Sequence, residues 1–172
     1  DNVIPAFHGG LRACLREDGR VMHFCLLWPS DLGVVVCVPD FTVSTQKARR
    51  ALPAKIAFQD AVHTSSRLAL LISALEQGEY AWLKTAMRDV LHQPHRKKLI
   101  RGMDVVIQAA VKAGAFGASL SGSGPAIIAI ALKGAKQAKI GRAMQKAFFR
   151  HGAESRYFVL DTEPKGARIE TL

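Results

Sequence analysis

Apolar residues recur at helical spacing in several stretches of the chain. The first stripe predicts a long helix over about 55–77, ended by Gly78, with a polar set on its opposite face. The second stripe predicts a helix that ends at Gly114. The first stripe comprises Ala61, Ser65, Leu68, Ile72 and Leu75, the polar set Asp60, His63, Thr64 and Arg67, and the second stripe Met103, Val106, Ile107 and Ala110.

Continuous runs of β-branched and aliphatic residues predict the strands. Residues 21–28 and 33–38 are expected to form two adjacent strands joined by a turn. Residues 126–131 are wholly apolar, which is typical of a short strand buried on both faces. Two further strands, at 155–160 and 167–171, are predicted to close the chain.

Capping residues and a proline mark two shorter segments in the first third of the chain. Residues 1–13 are expected to form a short helix or turn, interrupted by a pair of glycines. Ser44 or Thr45 can cap a second short helix, which Pro53 then ends because proline cannot continue the backbone hydrogen-bond ladder.

Two more helical segments complete the pattern. Residues 79–90 are predicted to be helical, whereas Pro94 is expected to interrupt the helix in the segment 91–96 that follows. Strands interleaved with helices predict an α+β domain, with a mainly antiparallel sheet and helices packed on one face. The last helix is indicated by the stripe of Ile140, Met144, Ala147 and Phe148.

Composition narrows the class of protein. At 172 residues with 49% hydrophobic residues, the chain is expected to be one globular domain, and no apolar run is long enough for a membrane-spanning helix. Three cysteines without a C-x-x-C pair favour reduced thiols, and hence a soluble, cytoplasmic protein. The net charge of +10 suits nucleic acid, an acidic membrane or a phosphorylated ligand, but a 7% aromatic share gives little support for base stacking.

The glycine- and serine-rich stretch 114–126 is the strongest candidate for chemistry. Glycines with positive φ can turn successive backbone N–H groups inward to form an anion-binding nest, which suits a phosphate. It is not a Walker loop, because Gly124 is followed by Pro125, nor a dinucleotide fingerprint, because Ile127 stands where a small residue is needed. The alternative is an ordinary tight turn leading into the apolar strand.

Two arginines stand beside prolines in polar segments. The guanidinium groups of Arg49 and Arg96 could each fork onto a carboxylate or phosphate, although most arginines in proteins simply extend into water. Other catalytic patterns are not supported. His92 and His95 lack a companion metal ligand, and there is neither a G-x-S-x-G elbow nor an evident acidic pair.

Taken in order, five segments resemble the homoserine kinases, a branch of the GHMP small-molecule kinases. The similarity runs over essentially the whole chain. The glycine-serine segment is specific to the superfamily, and the two arginine segments favour the homoserine kinases within it. The segments are Asp1-Asn-Val with the downstream Gly9-Gly10, Ser44-Thr-x-x-Ala-Arg49 with Leu52-Pro53, Leu91-His-Gln-Pro-His-Arg96, Gly117-x-Ser-Leu-Ser-Gly-Ser-Gly-Pro125, and Leu160-Asp-Thr with Gly166-Ala-Arg168.

This resemblance implies a ferredoxin-like C-terminal domain and transfer of a phosphoryl group from ATP, with Mg²⁺, to the side-chain hydroxyl of L-homoserine, a step toward threonine. It also implies roles for individual residues. Asp1 and Asn2 would line the amino-acid site, Arg49 and Arg96 would clamp the substrate carboxylate, and Thr45 would lie near the phosphoryl transfer. The phosphate-loop support would come from Gly117, Ser119, Ser121, Gly122, Ser123 and Gly124.

The family's nucleotide loop and its magnesium-binding acid belong to an N-terminal half that this sequence does not contain. Residues 1–172 are therefore expected to be a C-terminal domain, with about 1–20 at the junction, no metal site of its own, and no activity or tight ATP binding alone. A homodimer is possible, and neither a nucleic-acid nor a membrane partner is expected. The alternatives are a mevalonate, galactose or diphosphocytidyl-methylerythritol kinase and, from another class, a basic nucleic-acid-binding module.

Overall fold

A computed structural model describes residues 2–170 of the chain. Helices and strands alternate as the hydrophobic pattern predicts, which confirms the α+β class. The helices are α1 (Val3–His8), α2 (Thr45–Arg50), α3 (Phe58–Gln77), α4 (Leu83–Ala86), α5 (Gln93–Arg96), α6 (Met103–Lys112) and α7 (Ala135–Arg150). The strands are β1 (Leu11–Glu17), β2 (Arg20–Leu26), β3 (Leu32–Pro39), β4 (Gly117–Leu120), β5 (Ile127–Leu132) and β6 (Ser155–Leu160), and single turns of 3-10 helix lie at Tyr80–Trp82 and Lys97–Leu99.

The main sheet has four antiparallel strands in the order β4-β5-β3-β6. Together with α6 and α7 these strands run β3-α6-β4-β5-α7-β6, which is the split βαβ arrangement of ferredoxin-like folds. In the register, Val35 pairs with Ala129 of β5 on one side and with Val159 of β6 on the other. The central strands are therefore β3 and β5, the two most continuously apolar runs in the sequence.

One face of this sheet carries the main core. Because side chains alternate along a strand, Val35 and Cys37 of β3 share this face with Ile127 and Ala129 of β5. Helices α6 and α7 cover it with the stripes seen in the sequence. The contributing residues, all buried, are Met103, Val106 and Ala110 of α6 and Ile140, Met144, Ala147 and Phe148 of α7.

A second, smaller core places α3 and α4 on the opposite face, so helices cover both faces of the sheet and not only the one face that the sequence predicts. Leu32 of β3 and Ile130 of β5 pack there against Ala74 and Leu75 near the end of α3 and against Leu83 of α4. Helix α3 ends at Gly78, whose φ of 71° is left-handed, as the sequence predicts. The first half of α3 extends past this core, so its polar side chains reach the region described below.

Strands β1 and β2 form a separate two-stranded hairpin. The expectation that 21–28 and 33–38 pair with each other is wrong, because β2 pairs with β1 over its whole length. The turn is Asp18-Gly19, with φ of 48° and 75°, which is the backbone that a tight hairpin requires. The hairpin and α1 expose large apolar side chains, namely Val3, Phe7, Leu15, Val21 and Phe24.

The short helices depart from the pattern in length. Helix α2 is confirmed, since the Ser44 hydroxyl oxygen accepts a hydrogen bond from the backbone N–H of Lys47 at its start. The helix predicted at 79–90 is reduced to a 3-10 turn and α4. No helix runs continuously from α4 into α5, as expected from Pro94, which lies in the first turn of α5, where its missing N–H would be unpaired in any case.

The C-terminal tail lies along α1. The strand predicted at 167–171 does not form over the described part of that segment, whose backbone bonds to α1 instead of to the sheet. Ala167 N–H donates to the carbonyl of Phe7 at 3.1 Å, and Gly10 N–H donates to that of Glu163 at 2.8 Å. A Cβ on Gly9 would lie 2.5 Å from the backbone nitrogen of Gly166, so this close approach requires glycine.

Candidate functional site

A cleft of about 600 Å³ opens between α2, the first half of α3, α5 and the turn that joins β4 to β5. It gathers residues that are far apart in the sequence. Of the residues singled out above, Gly117, Ser121 and Gly124 do not line it, and Asp1 lies outside the described residues. The singled-out residues that line the cleft are Asn2, Thr45, Arg49, Arg96, Ser119, Gly122 and Ser123.

Arg96 forms the base of the cleft. Its side chain is buried, with 8% of its surface exposed. Its Nε donates to the carbonyl of Ala48 in α2 at 3.3 Å, and its Nη1 donates to the carbonyl of Gly122 at 2.9 Å. No carboxylate among residues 2–170 lies within ion-pair distance of it. A buried cation without an anion is costly, so this site favours an anionic ligand.

Asp89 fixes the start of α5. One carboxylate oxygen accepts from the backbone N–H of His92 at 2.8 Å and also from that of Gln93, and the other accepts from Leu91 at 3.0 Å. Burial alone would raise the pKa of this carboxyl, but these N–H bonds and that of the His92 ring together hold the pKa below its usual value. Asp89 lines the cleft, yet its charge is already committed to α5.

Gln93 ties α5 to the sheet. Its side-chain Oε1 accepts a hydrogen bond from the backbone N–H of Leu120, the last residue of β4, at 3.1 Å. Asp89, Gln93 and Arg96 therefore attach one short helix to its own start, to β4 and to α2. This cross-linking explains how a four-residue helix, which is unstable by itself, can hold a side chain in one place.

The turn between β4 and β5 is a closed hairpin loop. Ser121 N–H donates to the carbonyl of Ala126 at 2.9 Å, and Gly124 N–H donates to that of Ser121 at 3.0 Å. Gly122 and Gly124 have φ of 58° and 83°, as a nest requires, but the N–H groups of Ser121 and Gly124 already have partners inside the turn. The anion nest stays a prediction, and it now depends on the N–H groups of Gly122 and Ser123.

Gly117 has a structural task instead of a place in the cleft. It lies in β4, and a Cβ there would come within 2.5 Å of the Met87 sulfur and 3.0 Å of the Leu83 carbonyl oxygen. Glycine at this position therefore lets α4 approach the sheet.

Helix α2 presents Thr45 and Arg49 to the cleft from the opposite side. They lie four residues apart, which puts both on one face of the helix, and both are exposed. The guanidinium of Arg49 has no hydrogen bond or ion pair within the described chain.

The sequence reasoning missed part of the lining. Thr64 and Arg67 were assigned to the polar face of α3, and this face turns out to border the cleft. Arg88 and His92 line it as well. Among the described residues, the cleft is therefore lined by four arginines and by one carboxylate, that of Asp89. Such an imbalance suits a small ligand that carries more than one negative charge.

Metal ligands are scarce in this region. Among residues 2–170 there is no group of three or more histidine, cysteine, aspartate or glutamate side chains placed to hold an ion. The same part of the chain contains no helix with the length and apolar character needed to cross a membrane.

Comparison with known sequences places this arrangement among related proteins. The family model described as GHMP kinases C terminal matches residues 71–151. A homoserine kinase of Persephonella marina is 41% identical over 172 residues, covering 100% of this chain and 57% of that protein. One of Moorella thermoacetica is 45% identical over 154 residues, covering 90% of this chain and 51% of that protein. The chain thus spans little more than half the length of these relatives.

Comparison with solved structures agrees. The crystal structure of homoserine kinase from Cytophaga hutchinsonii has a TM-score of 0.89 and 33% sequence identity, covering 95% of this chain and 52% of that one. Mevalonate kinase of L. major gives a TM-score of 0.64 at 19% identity, over 92% of this chain and 50% of that one, which shows a shared fold alone.

Proposed function

Because this chain belongs to the GHMP kinases and matches their C-terminal region, we propose that it supplies the amino-acid-binding part of an ATP-dependent kinase for L-homoserine. One observation carries this proposal. The cleft brings Asn2, Thr45 and Arg49 together with the buried guanidinium of Arg96, which has no anionic partner in the described chain. The homoserine carboxylate would be that partner.

The arginines would divide the work of holding the carboxylate. Arg96 uses Nε and Nη1 on backbone carbonyls, which leaves Nη2 to donate into the cleft from a fixed position. Arg49, on the opposite wall, would complete the contact as a second donor from an exposed position. Charge-assisted bonds of this kind are the strongest that a neutral-pH site can offer a carboxylate.

The remaining residues would position the reacting hydroxyl. Asp1 and Asn2 would contact the amino-acid part of the substrate, and Thr45 would lie near the hydroxyl. In the proposed reaction that oxygen forms a bond to the γ-phosphorus of ATP, ADP leaves and the hydroxyl proton is released. Support for the nucleotide phosphates would come from Gly117, Ser119, Ser121, Gly122, Ser123 and Gly124.

The described part of this chain offers few ligands for Mg²⁺. The described residues offer no carboxylate cluster, and Asp89 is committed to α5, so we assign Mg²⁺ and most ATP contacts to an N-terminal part of the kinase. Residues 1–172 would form the C-terminal domain, with about 1–20 at the junction. The exposed apolar side chains of α1 and the hairpin support this division. The kinase would act in the cytoplasm, in threonine biosynthesis.

A chimera tests the proposal directly. The matching residues of the Persephonella marina homoserine kinase, 41% identical over 172 residues, are replaced by this chain. The chimera is expected to phosphorylate L-homoserine in preference to mevalonate or galactose, measured by ADP release. The 172-residue chain alone is expected to show no turnover.

The parent enzyme and the chimera with Arg96→Ala serve as controls. A folded chimera that leaves homoserine unphosphorylated while the parent is active would contradict the proposal. Equal activity of the Arg96→Ala chimera would contradict the role of the buried guanidinium.

A further inference from the structure

Two residues of α3 that line the cleft each have one polar atom buried without a partner. Thr64 Oγ1 and Arg67 Nε are both shielded from water, and neither atom makes a hydrogen bond within residues 2–170. The two residues lie three positions apart, so one face of the helix presents both, and both line the cleft. A buried polar atom without a partner destabilises the protein, so a ligand that supplies partners would bind favourably here.

The guanidinium of Arg67 has one whole edge available. Within the described chain its one hydrogen bond runs from Nη1 to the hydroxyl of Ser66 at 3.3 Å. The edge made by Nε–H and Nη2–H is the one that binds a planar or tetrahedral oxyanion through two parallel bonds. No carboxylate among residues 2–170 forms an ion pair with it.

The guanidinium of Arg96 uses different donors. There Nε donates to Ala48 and Nη1 donates to Gly122, so the edge made by Nε–H and Nη2–H cannot give two parallel bonds to a ligand. Arg67 offers two parallel donors, and Thr64 adds a hydroxyl as a third. Three donors on one face of α3 match the three terminal oxygens of a phosphoryl group better than the two oxygens of a carboxylate.

We propose that Arg67 and Thr64 form a second oxyanion subsite, which holds the phosphoryl group of the phosphorylated product while Arg49 and Arg96 hold its carboxylate. The assignment rests on the proposed function, because the product of that reaction, O-phospho-L-homoserine, carries both groups in one small molecule. The subsite itself lies wholly within this chain.

The test compares two ligands on the 172-residue chain. Isothermal titration measures the affinity for O-phospho-L-homoserine and for L-homoserine in the unmodified chain and in Arg67→Met, Arg67→Lys and Thr64→Val. Arg67→Met is expected to weaken binding of the phosphorylated ligand at least tenfold, as loss of a charge-assisted bond implies, and to change the affinity for homoserine less than threefold. Arg67→Lys is expected to fall between, because lysine keeps the charge but not the fork.

Arg142→Met is the matched control, since it removes the same charge from an exposed position on α7 outside the cleft. Equal losses for both ligands in Arg67→Met would assign Arg67 to the carboxylate and overturn the proposal. Unchanged affinity for O-phospho-L-homoserine would overturn it too.

A second measurement needs no variant to fold. The NMR signal of the Arg67 Nε–H in the unmodified chain is expected to shift with inorganic phosphate and much less with acetate. If phosphate leaves that signal in place, the subsite is refuted. If phosphate shifts it but homoserine does not bind the chain at all, the proposed function fails while the subsite stands.

Discussion

The two walls of the cleft differ in how their polar groups are used. On the wall made by α5 and the β4–β5 turn, Asp89, Gln93 and Arg96 all bond to backbone of neighbouring elements. On the wall made by α2 and α3, Arg49 and Arg67 leave most of their donors unused. The functional groups of the first wall hold that part of the fold together, whereas those of the second wall keep donors available for a ligand.

This difference separates stability from binding. A side chain whose hydrogen bonds hold the fold together cannot be removed without loss of stability, even if it also contacts a ligand. A side chain with unused donors can be removed at little cost to the fold. The two walls are therefore expected to respond differently to the same kind of substitution, and the following predictions are ordered by the expected change in the free energy of unfolding.

Arg96→Ala is expected to cost the most stability. It removes charge-assisted bonds to two backbone carbonyls, which is worth about 1.5 to 3 kcal/mol. Urea unfolding of the 172-residue chain measures the loss, and Arg96→Lys should recover part of it. A loss below about 0.5 kcal/mol, the size of an ordinary surface change, would show that Arg96 does not hold the wall together.

Asp89→Ala is expected to cost about 1 to 2 kcal/mol at pH 7, as for loss of a helix cap. Because the folded state lowers the pKa of Asp89, the carboxylate contributes its full stabilisation above the pKa that it has in the unfolded chain. This contribution is lost as the pH falls through the folded pKa. The difference between the two proteins in urea should thus shrink on acidification, and a difference that stays constant to low pH would contradict the assignment.

Gln93→Ala is expected to cost about 0.5 to 1.5 kcal/mol, because the N–H of Leu120 loses its acceptor. Gln93→Glu keeps an acceptor oxygen at the same place and serves as the control. Hydrogen exchange of the Leu120 amide reports the bond directly. Equal protection of that amide in Gln93→Ala and in the unmodified chain would rule the bond out.

Arg49→Ala is expected to change the free energy of unfolding by less than about 0.5 kcal/mol, since the side chain is exposed. In the chimera it is expected to weaken homoserine binding about tenfold or more. Arg50→Ala removes the same charge from the neighbouring residue, which does not line the cleft. If Arg49→Ala destabilises the fold as strongly as Arg96→Ala, the contrast between the walls disappears.

Much of the fold could be predicted because it follows from local pattern. Helices α3 and α6 follow from helical periodicity and strand β5 from a continuous apolar run. The start of α2 follows from a serine and the end of α3 from a glycine. The β1–β2 hairpin was missed although both signals were present. Residues 11–17 largely alternate apolar and polar side chains, and Asp18-Gly19 is a typical hairpin turn.

The cleft could be predicted only in part. The resemblance to a kinase family pointed to Asn2, Thr45, Arg49 and Arg96, and the structure brings these residues to one cleft. The participation of Arg67 could not be read from the sequence, because a polar helix face looks the same whether it borders water or a cleft. The role of Asp89 depends on the turn that follows it.

The contact between the C-terminal tail and α1 has a consequence for folding. The bonds from Ala167 to Phe7 and from Gly10 to Glu163 join segments separated by nearly the whole chain. Closing so large a loop costs more chain entropy than any local pairing, so these bonds can form only after the sheet has brought the two ends together. The tail is thus expected to dock last during folding and to be released first when the sheet is destabilised. Its release would report a loss of stability of the whole domain.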